Sequence, residues 1–267
     1  MRPFPEIVLG AAIVLCLQLA AFIQSARGEA CPQAVTILRP SNADEVILDI
    51  PIDGTNIVRL AGIDHPEPPD AARSASPRNA AEAALSRLIE GRAACLTLAD
   101  GRQDRYGRLL AQVHRDDGLW IQGELLRLGL ARVHVRADTR ALASDMLEIE
   151  DEARRARRGL WSHYWLRVRS VGEIGRDLGS FQLVEGRVLD AERRGDRWYL
   201  NFGDDWRSDF TVTIPASVLP DFAAAKLDLY SLKGRAIRIR GWVEDLNGPM
   251  IEALIPEQIE VLDQSPP

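Results

Sequence analysis

The constraint that bears hardest on this chain is the order of its apolar periods between residues 35 and 113. Three short runs, 35–38, 45–50 and 56–63, read as strands, and they are cut by two turn signals, Pro40-Ser41-Asn42 and Asp53-Gly54. A helical period follows in Ala81, Ala84, Leu85, Leu88 and Ile89, with Asn79 as the expected N-cap and Gly91 as the stop. Two more strand-like runs, 93–98 and 109–113, complete the pattern. Five strands with one helix between the third and the fourth is the order of a five-stranded OB barrel. Beyond it, Ile121, Leu125 and Leu128 predict a short helix ended by Gly129, and Leu142, Met146, Ile149, Ala153 and Ala156 a longer one ended by Gly159. The expected class is α+β, mainly β, an OB barrel with added helices.

The barrel and its helices account for residues 33–165. The stretch 166–179 lacks sustained apolar periodicity and reads as a linker. Strand-like runs then resume at 181–189, 197–201 and 209–214, a partly helical stretch covers 216–229, and strands return at 236–243, 250–255 and 258–261. That succession predicts a second, smaller OB-like β domain over 180–263. Its aromatic group, Trp198, Tyr199, Phe202, Trp206 and Phe210, has the composition of a base-stacking platform. Strand alternation buries about half of such a group, however, and Asp204, Asp205 and Asp209 oppose a polyanion, so core packing is the expectation.

Residues 1–28 carry Arg2, an apolar run over 7–23 and then small residues, the pattern of an export signal, either cleaved or kept as an inner-membrane anchor. The expected location is periplasmic or secreted. The chain holds 33 basic and 39 acidic residues; removing residues 1–28 would take away Arg2, Arg27 and Glu6 and leave a net charge of −7. A chain so charged has no long-range attraction for a polyanion, so nucleic acid must be held by local cationic groups and a metal ion. Cys31 and Cys95 make an even pair suited to an oxidising compartment, but spacing alone leaves a disulfide and two separate thiols equally open. Neither stands beside a His at metal-ligand spacing, so no zinc site is expected.

The chemistry concentrates in two places. Residues 58–67 read Val-Arg-Leu-Ala-Gly-Ile-Asp-His-Pro-Glu, a strand that stops at Pro66 and delivers Asp64 and Glu67 into a loop. Residues 104–108 read Asp-Arg-Tyr-Gly-Arg and put Arg108 at the mouth of the next strand. Two arginines and two acids at strand ends are the parts needed to hold a phosphodiester and a cation. With Gly129-Leu130-Ala131 and Gly159-Leu160-Trp161 following in order, these motifs make residues 33–165 resemble the thermonuclease, or staphylococcal nuclease-like, family.

The resemblance implies an exported calcium-dependent nuclease that hydrolyses DNA or RNA and leaves 3′-phosphates. By their match to the family's motifs, Arg59 and Arg108 would hold the phosphate, as planar, permanently charged forks suit that task. Glu67 would be the general base, and Asp44, Asp64 and the backbone carbonyl of His65 the calcium ligands, a hard-oxygen set. The alternative is a non-catalytic nucleic-acid-binding or envelope scaffold on the same fold. Such scaffolds typically lack the two arginines and the glutamate.

This chain departs from its relatives in two places. The turn that commonly reads Asp-Gly-Asp-Thr is Asn42-Ala43-Asp44-Glu45, where Glu45 reads as a solvated strand residue. Where the best-known relative has stacking tyrosines, this chain has Arg132-Val133-His134-Val135-Arg136, so base stacking is lost or moved, and Arg132 and Arg136 read as solvated edge residues. The basic run at Arg154, Arg155, Arg157 and Arg158 follows acids along its helix, the order favoured by the helix dipole and i,i+4 pairing, and reads as structural.

Overall fold

The computed structural model describes residues 31–68, 77–205 and 208–262. The proposed leader or anchor, most of the loop after Pro68, Trp206, Arg207 and Asp263 lie outside the described residues.

β1 (Ala34–Asn42) and β2 (Glu45–Ile52) form a hairpin, and β3 (Thr55–Leu60) follows through Asp53 and Gly54, both at positive φ. After α1 (Pro77–Ile89) come β5 (Arg92–Gln103) and β6 (Leu109–Arg115), and the five strands close a barrel in the order β1-β2-β3-β6-β5. Its one parallel contact, β3 against β6, sets Val58 opposite Leu109 and Arg59 opposite Leu110. Alternation along each strand sends Val46, Leu48, Val58, Leu60, Leu96 and Leu109 inward, where all are fully buried. α1 seals the barrel with Ala81, Ala84, Leu85 and Ile89. Asn79 is not its cap: the helix already runs at Pro77, a residue whose fixed φ suits a first turn. Cys31 and Cys95 are joined in a disulfide, with Cα atoms 5.5 Å apart, beside the β1–β5 ladder that pairs Ala34 with Cys95.

Two short strands stand outside the barrel. β4 (Ile63–Asp64) pairs with β7 (Arg132–Val133), which is placed by α2 (Ile121–Arg127) and braced by α3 (Ala143–Arg155). The glycines that end these helices do so for a packing reason. Gly129, at φ +68°, lies where an added Cβ would stand 2.2 Å from the Arg158 carbonyl oxygen, and the Gly129 carbonyl itself accepts the Leu160 amide at 2.8 Å. Arg154 and Arg155 both pair with Asp151 on α3, the structural role expected of the basic run.

The second unit contains β8 (Arg169–Ser170), β9 (Phe181–Arg187), β10 (Asp190–Arg194), β11 (Arg197–Asn201), β12 (Thr211–Pro215), α4 (Leu219–Ala224), β13 (Ala236–Trp242), β14 (Glu244–Asp245), β15 (Pro249–Glu252) and β16 (Ile259–Val261). The strands pair antiparallel except for β12 with β15 and β8 with β9. The pairing order of the first barrel recurs, but here it splits into two sheets, β10-β11-β12-β15-β14 and β16-β13-β9-β8. The stretch read as a linker contributes β8 and a fully buried Ile174, so it is packed into this unit. Of the aromatic group, Phe202 and Phe210 are buried in its core and Trp198 packs against that core.

The two units share a buried ionic clamp. Arg240 of β13, 1 % exposed, donates to Glu150 Oε2 of α3 at 2.7 Å, to Glu260 Oε1 at 2.8 Å and to the Val133 carbonyl at 3.2 Å. Glu150 Oε1 in turn accepts the Val133 amide at 2.6 Å. β7 is therefore gripped by both units.

Candidate functional site

The open end of the barrel gathers the turn between β1 and β2, the C-terminal half of β3, all of β4 and the start of β6. Asn42 shapes the turn: its Oδ1 accepts the Asp44 amide at 2.9 Å, while Ala43 is fully buried and the Asp44 carbonyl takes the Leu60 amide at 2.8 Å. These bonds pin Asp44, 2 % exposed, against the base of β3. Arg59 Nη1 reaches its Oδ2 at 2.6 Å, and Arg78 Nη2 lies 3.8 Å from its Oδ1. That Oδ1 is buried and accepts no hydrogen bond.

Arg59 is the register partner of Glu45, and Glu45 in turn pairs with Arg108 Nη1, so the two arginines flank one carboxylate. Glu45 is thus not a solvated residue; the ladder that carries it places it between two cations. Asp104 holds Arg108 from the other side, through Nε at 2.7 Å and Nη2 at 2.5 Å. Burial works against the charge on both Arg108 and Asp104, but their mutual hydrogen bonds win, raising the arginine's pKa and lowering the aspartate's.

Asp64 meets a different partner. Arg132, which faces it across the β4–β7 pair, forks onto both carboxylate oxygens at 3.1 and 2.7 Å and is only 5 % exposed. This corrects the expectation of a solvated arginine: β7 turns inward against β4, so the side chain has a half-buried acid to neutralise. Burial alone would raise the Asp64 pKa, but Arg132, with smaller help from His134 and His65, holds it below the ordinary carboxylate value.

His65 is buried and places Nδ1 2.6 Å from the Leu130 carbonyl, so Nδ1–H donates and the Nε2 lone pair is left buried without a partner. Burial outweighs the pull of Asp44 and lowers its pKa, which keeps the ring neutral near neutral pH. His134 Nδ1 lies 3.5 Å from Asp64 Oδ2, and with Arg59, Arg136 and Thr139 the ring lines a cavity of about 60 Å3. Glu67 stands exposed three residues past Asp64, in the loop that leaves β4.

The sequence model of the family described as "Staphylococcal nuclease homologue" matches residues 57–163. That segment lies within the barrel and its helices, which together form a staphylococcal nuclease-like domain. Two relatives, each named "Uncharacterized endonuclease", one from Escherichia coli O157:H7 and one from Escherichia coli, are 33% identical over 78 residues, which cover 29% of this chain and 48% of theirs. The chain spans about half the length of these curated relatives.

Within the nuclease-like domain, the residues fit a hard cation at Asp44. A buried anionic oxygen is costly unless positive groups complete it, and Asp44 Oδ1 accepts no hydrogen bond and has the half-exposed Arg78, 3.8 Å away, as a cationic neighbour. The Arg132 fork uses one acceptor site on each Asp64 oxygen, and a carboxylate has about four. Among the described residues no three His, Cys, Asp or Glu side chains form a closed metal cage, so any ion here would also rely on carbonyl and water oxygens. The residues that sequence reasoning missed are Glu45 and Arg132. Both carry the opposite charge to the group they face across a strand pair, a signal visible only once register is known.

Proposed function

We propose that the nuclease-like domain hydrolyses phosphodiester bonds of DNA or RNA in an exported protein, with calcium as its ion and 3′-phosphates as products. Arg59 and Arg108 would take the two non-bridging phosphate oxygens, each guanidinium keeping N–H donors beyond those spent on Asp44, Glu45 and Asp104. Glu67, exposed in the loop that leaves β4, would take the proton of the attacking water. Asp44, Asp64 and the His65 carbonyl would hold the cation, which when bound supplies positive charge to the phosphate as negative charge builds there. Asp104 and Glu45 would fix the Arg108 fork before substrate arrives, so that no reorganisation is needed in the transition state.

The observation that carries this reading is that Arg59, the cross-strand partner of Glu45, pairs with Asp44 while Arg108 pairs with Glu45 itself, so that both guanidiniums are held by neighbouring carboxylates, and Asp44 Oδ1 accepts no hydrogen bond. The test is digestion of plasmid and of single-stranded nucleic acid, with calcium and with chelator, by wild type, Glu67→Ser and Arg108→Ala. Removing one charge-stabilising donor costs on the order of 100- to 1000-fold in turnover. Equal digestion by all three proteins would refute the assignment. A strand carrying 5′-phosphates after cleavage would refute the product.

A further inference from the structure

The second unit presents aromatic rings at the edge of the nuclease-like site. Phe181 opens β9 and Trp242 closes β13, and the register sets them side by side, with ring centroids 6.4 Å apart at 88°. On its other side Phe181 meets the ring of His134, centroid to centroid 4.8 Å, and His134 is the residue that lines the small cavity with Arg59 and approaches Asp64. Arg132 locks this contact: its guanidinium sits 4.4 Å from the Phe181 centroid and donates to the Phe181 carbonyl at 3.1 Å while its fork holds Asp64. A row of three rings therefore runs from the small cavity beside Arg59 to Trp242, which is 55% exposed despite being the largest apolar side chain a protein can bury.

Resting on the phosphodiesterase reading above, we propose that Trp242 and Phe181 form a stacking subsite for an unpaired base of the strand whose phosphate lies between Arg59 and Arg108. An exposed ring joined through Phe181 and His134 to the cavity beside Arg59 offers a flat π-face to a base of the same strand. The acids that follow Trp242, Glu244 and Asp245, repel a phosphate but not a base, so the ring takes the base and the arginines take the backbone. A base within a duplex has both faces covered by its neighbours, so the subsite selects single-stranded DNA or RNA. It also supplies, from outside the matched segment 57–163, the stacking that Arg132–Arg136 do not provide within it.

The test uses the full chain under chelator, so that binding is read without cleavage, and two labelled probes of about 12 nucleotides, within the footprint of one OB fold. One is an oligothymidylate; the other has the same phosphates with abasic sugars. Wild type should prefer the base-bearing strand by about 5- to 150-fold per stacked base. Trp242→Ala should abolish that preference and leave abasic binding unchanged. Trp242→Leu, which keeps apolar contact with Phe181 but has no flat face, should do the same, whereas Trp242→Phe should retain most of it. Arg108→Ala should weaken both probes alike and leave their ratio intact. A probe ratio that survives both Trp242→Ala and Trp242→Leu overturns the proposal and points to a protein partner for the ring; so does a wild type that binds neither probe. Loss of the hydrolase reading would look different: no digestion with calcium, but a Trp242-dependent probe ratio.

Discussion

Replacing Arg240 by Met should be a costly change outside the candidate site, and its magnitude follows from what is left behind. Glu150 is 1% exposed and keeps one partner, the Val133 amide at 2.6 Å on Oε1, but Oε2 loses the guanidinium that neutralises it. Glu260, with a side chain 20% exposed, turns to water and loses little. Breaking a buried ion pair costs about 3–5 kcal/mol, mostly the stranded charge, and the surviving amide bond places this case near about 3. With an m-value of about 3 kcal/mol/M, the urea midpoint should fall by about 1 M. Glu150→Gln with Arg240→Met strands no charge, so the double variant should be about 2 kcal/mol more stable than the two single losses added. A loss below about 1 kcal/mol, or additive behaviour in the double variant, would refute the view that a buried charge ties the two units together.

Other outcomes follow from single contacts. Gly129→Ala should cost about 3 kcal/mol or more, because the residue is at φ +68° and its Cβ would collide with the Arg158 carbonyl; a thermal midpoint within a degree or two of wild type would contradict this. Reducing the Cys31–Cys95 disulfide, whose cysteines are 64 residues apart, should lower stability by about 2–4 kcal/mol, measured by urea unfolding with and without reductant. His65, His114 and His134 all have pKa values lowered from 6.5, chiefly by burial, so the folded chain binds fewer protons than the unfolded one below that pH. Their contribution is present above about pH 6.5 and is lost as pH falls, with a limiting slope of about 1.4 kcal/mol per pH unit for each; a thermal midpoint that is flat between pH 7 and pH 5 would contradict it.

The strand and helix order was legible because it rests on local information: period-two runs, Asp53-Gly54 at a positive-φ turn and the stops at Gly91, Gly129 and Gly159. β10 was missed because Asp190–Arg194 is charged at four of five positions and forms a strand only by pairing with β11. Glu45 and Arg132 were misread for the same reason, since a charged side chain in isolation looks solvated until register sets an opposite charge across from it.

The sequence by itself determined which residues line the barrel and which motifs resemble those of the nuclease family, because apolar alternation and strand-end loops are properties of neighbouring residues. Only the tertiary structure decided that Cys31 meets Cys95, that Arg240 clamps Glu150, and that Phe181 and Trp242 border the site. Each of these depends on groups tens of residues apart being brought within a few ångströms, and no local pattern encodes which long-range partner fills a given place.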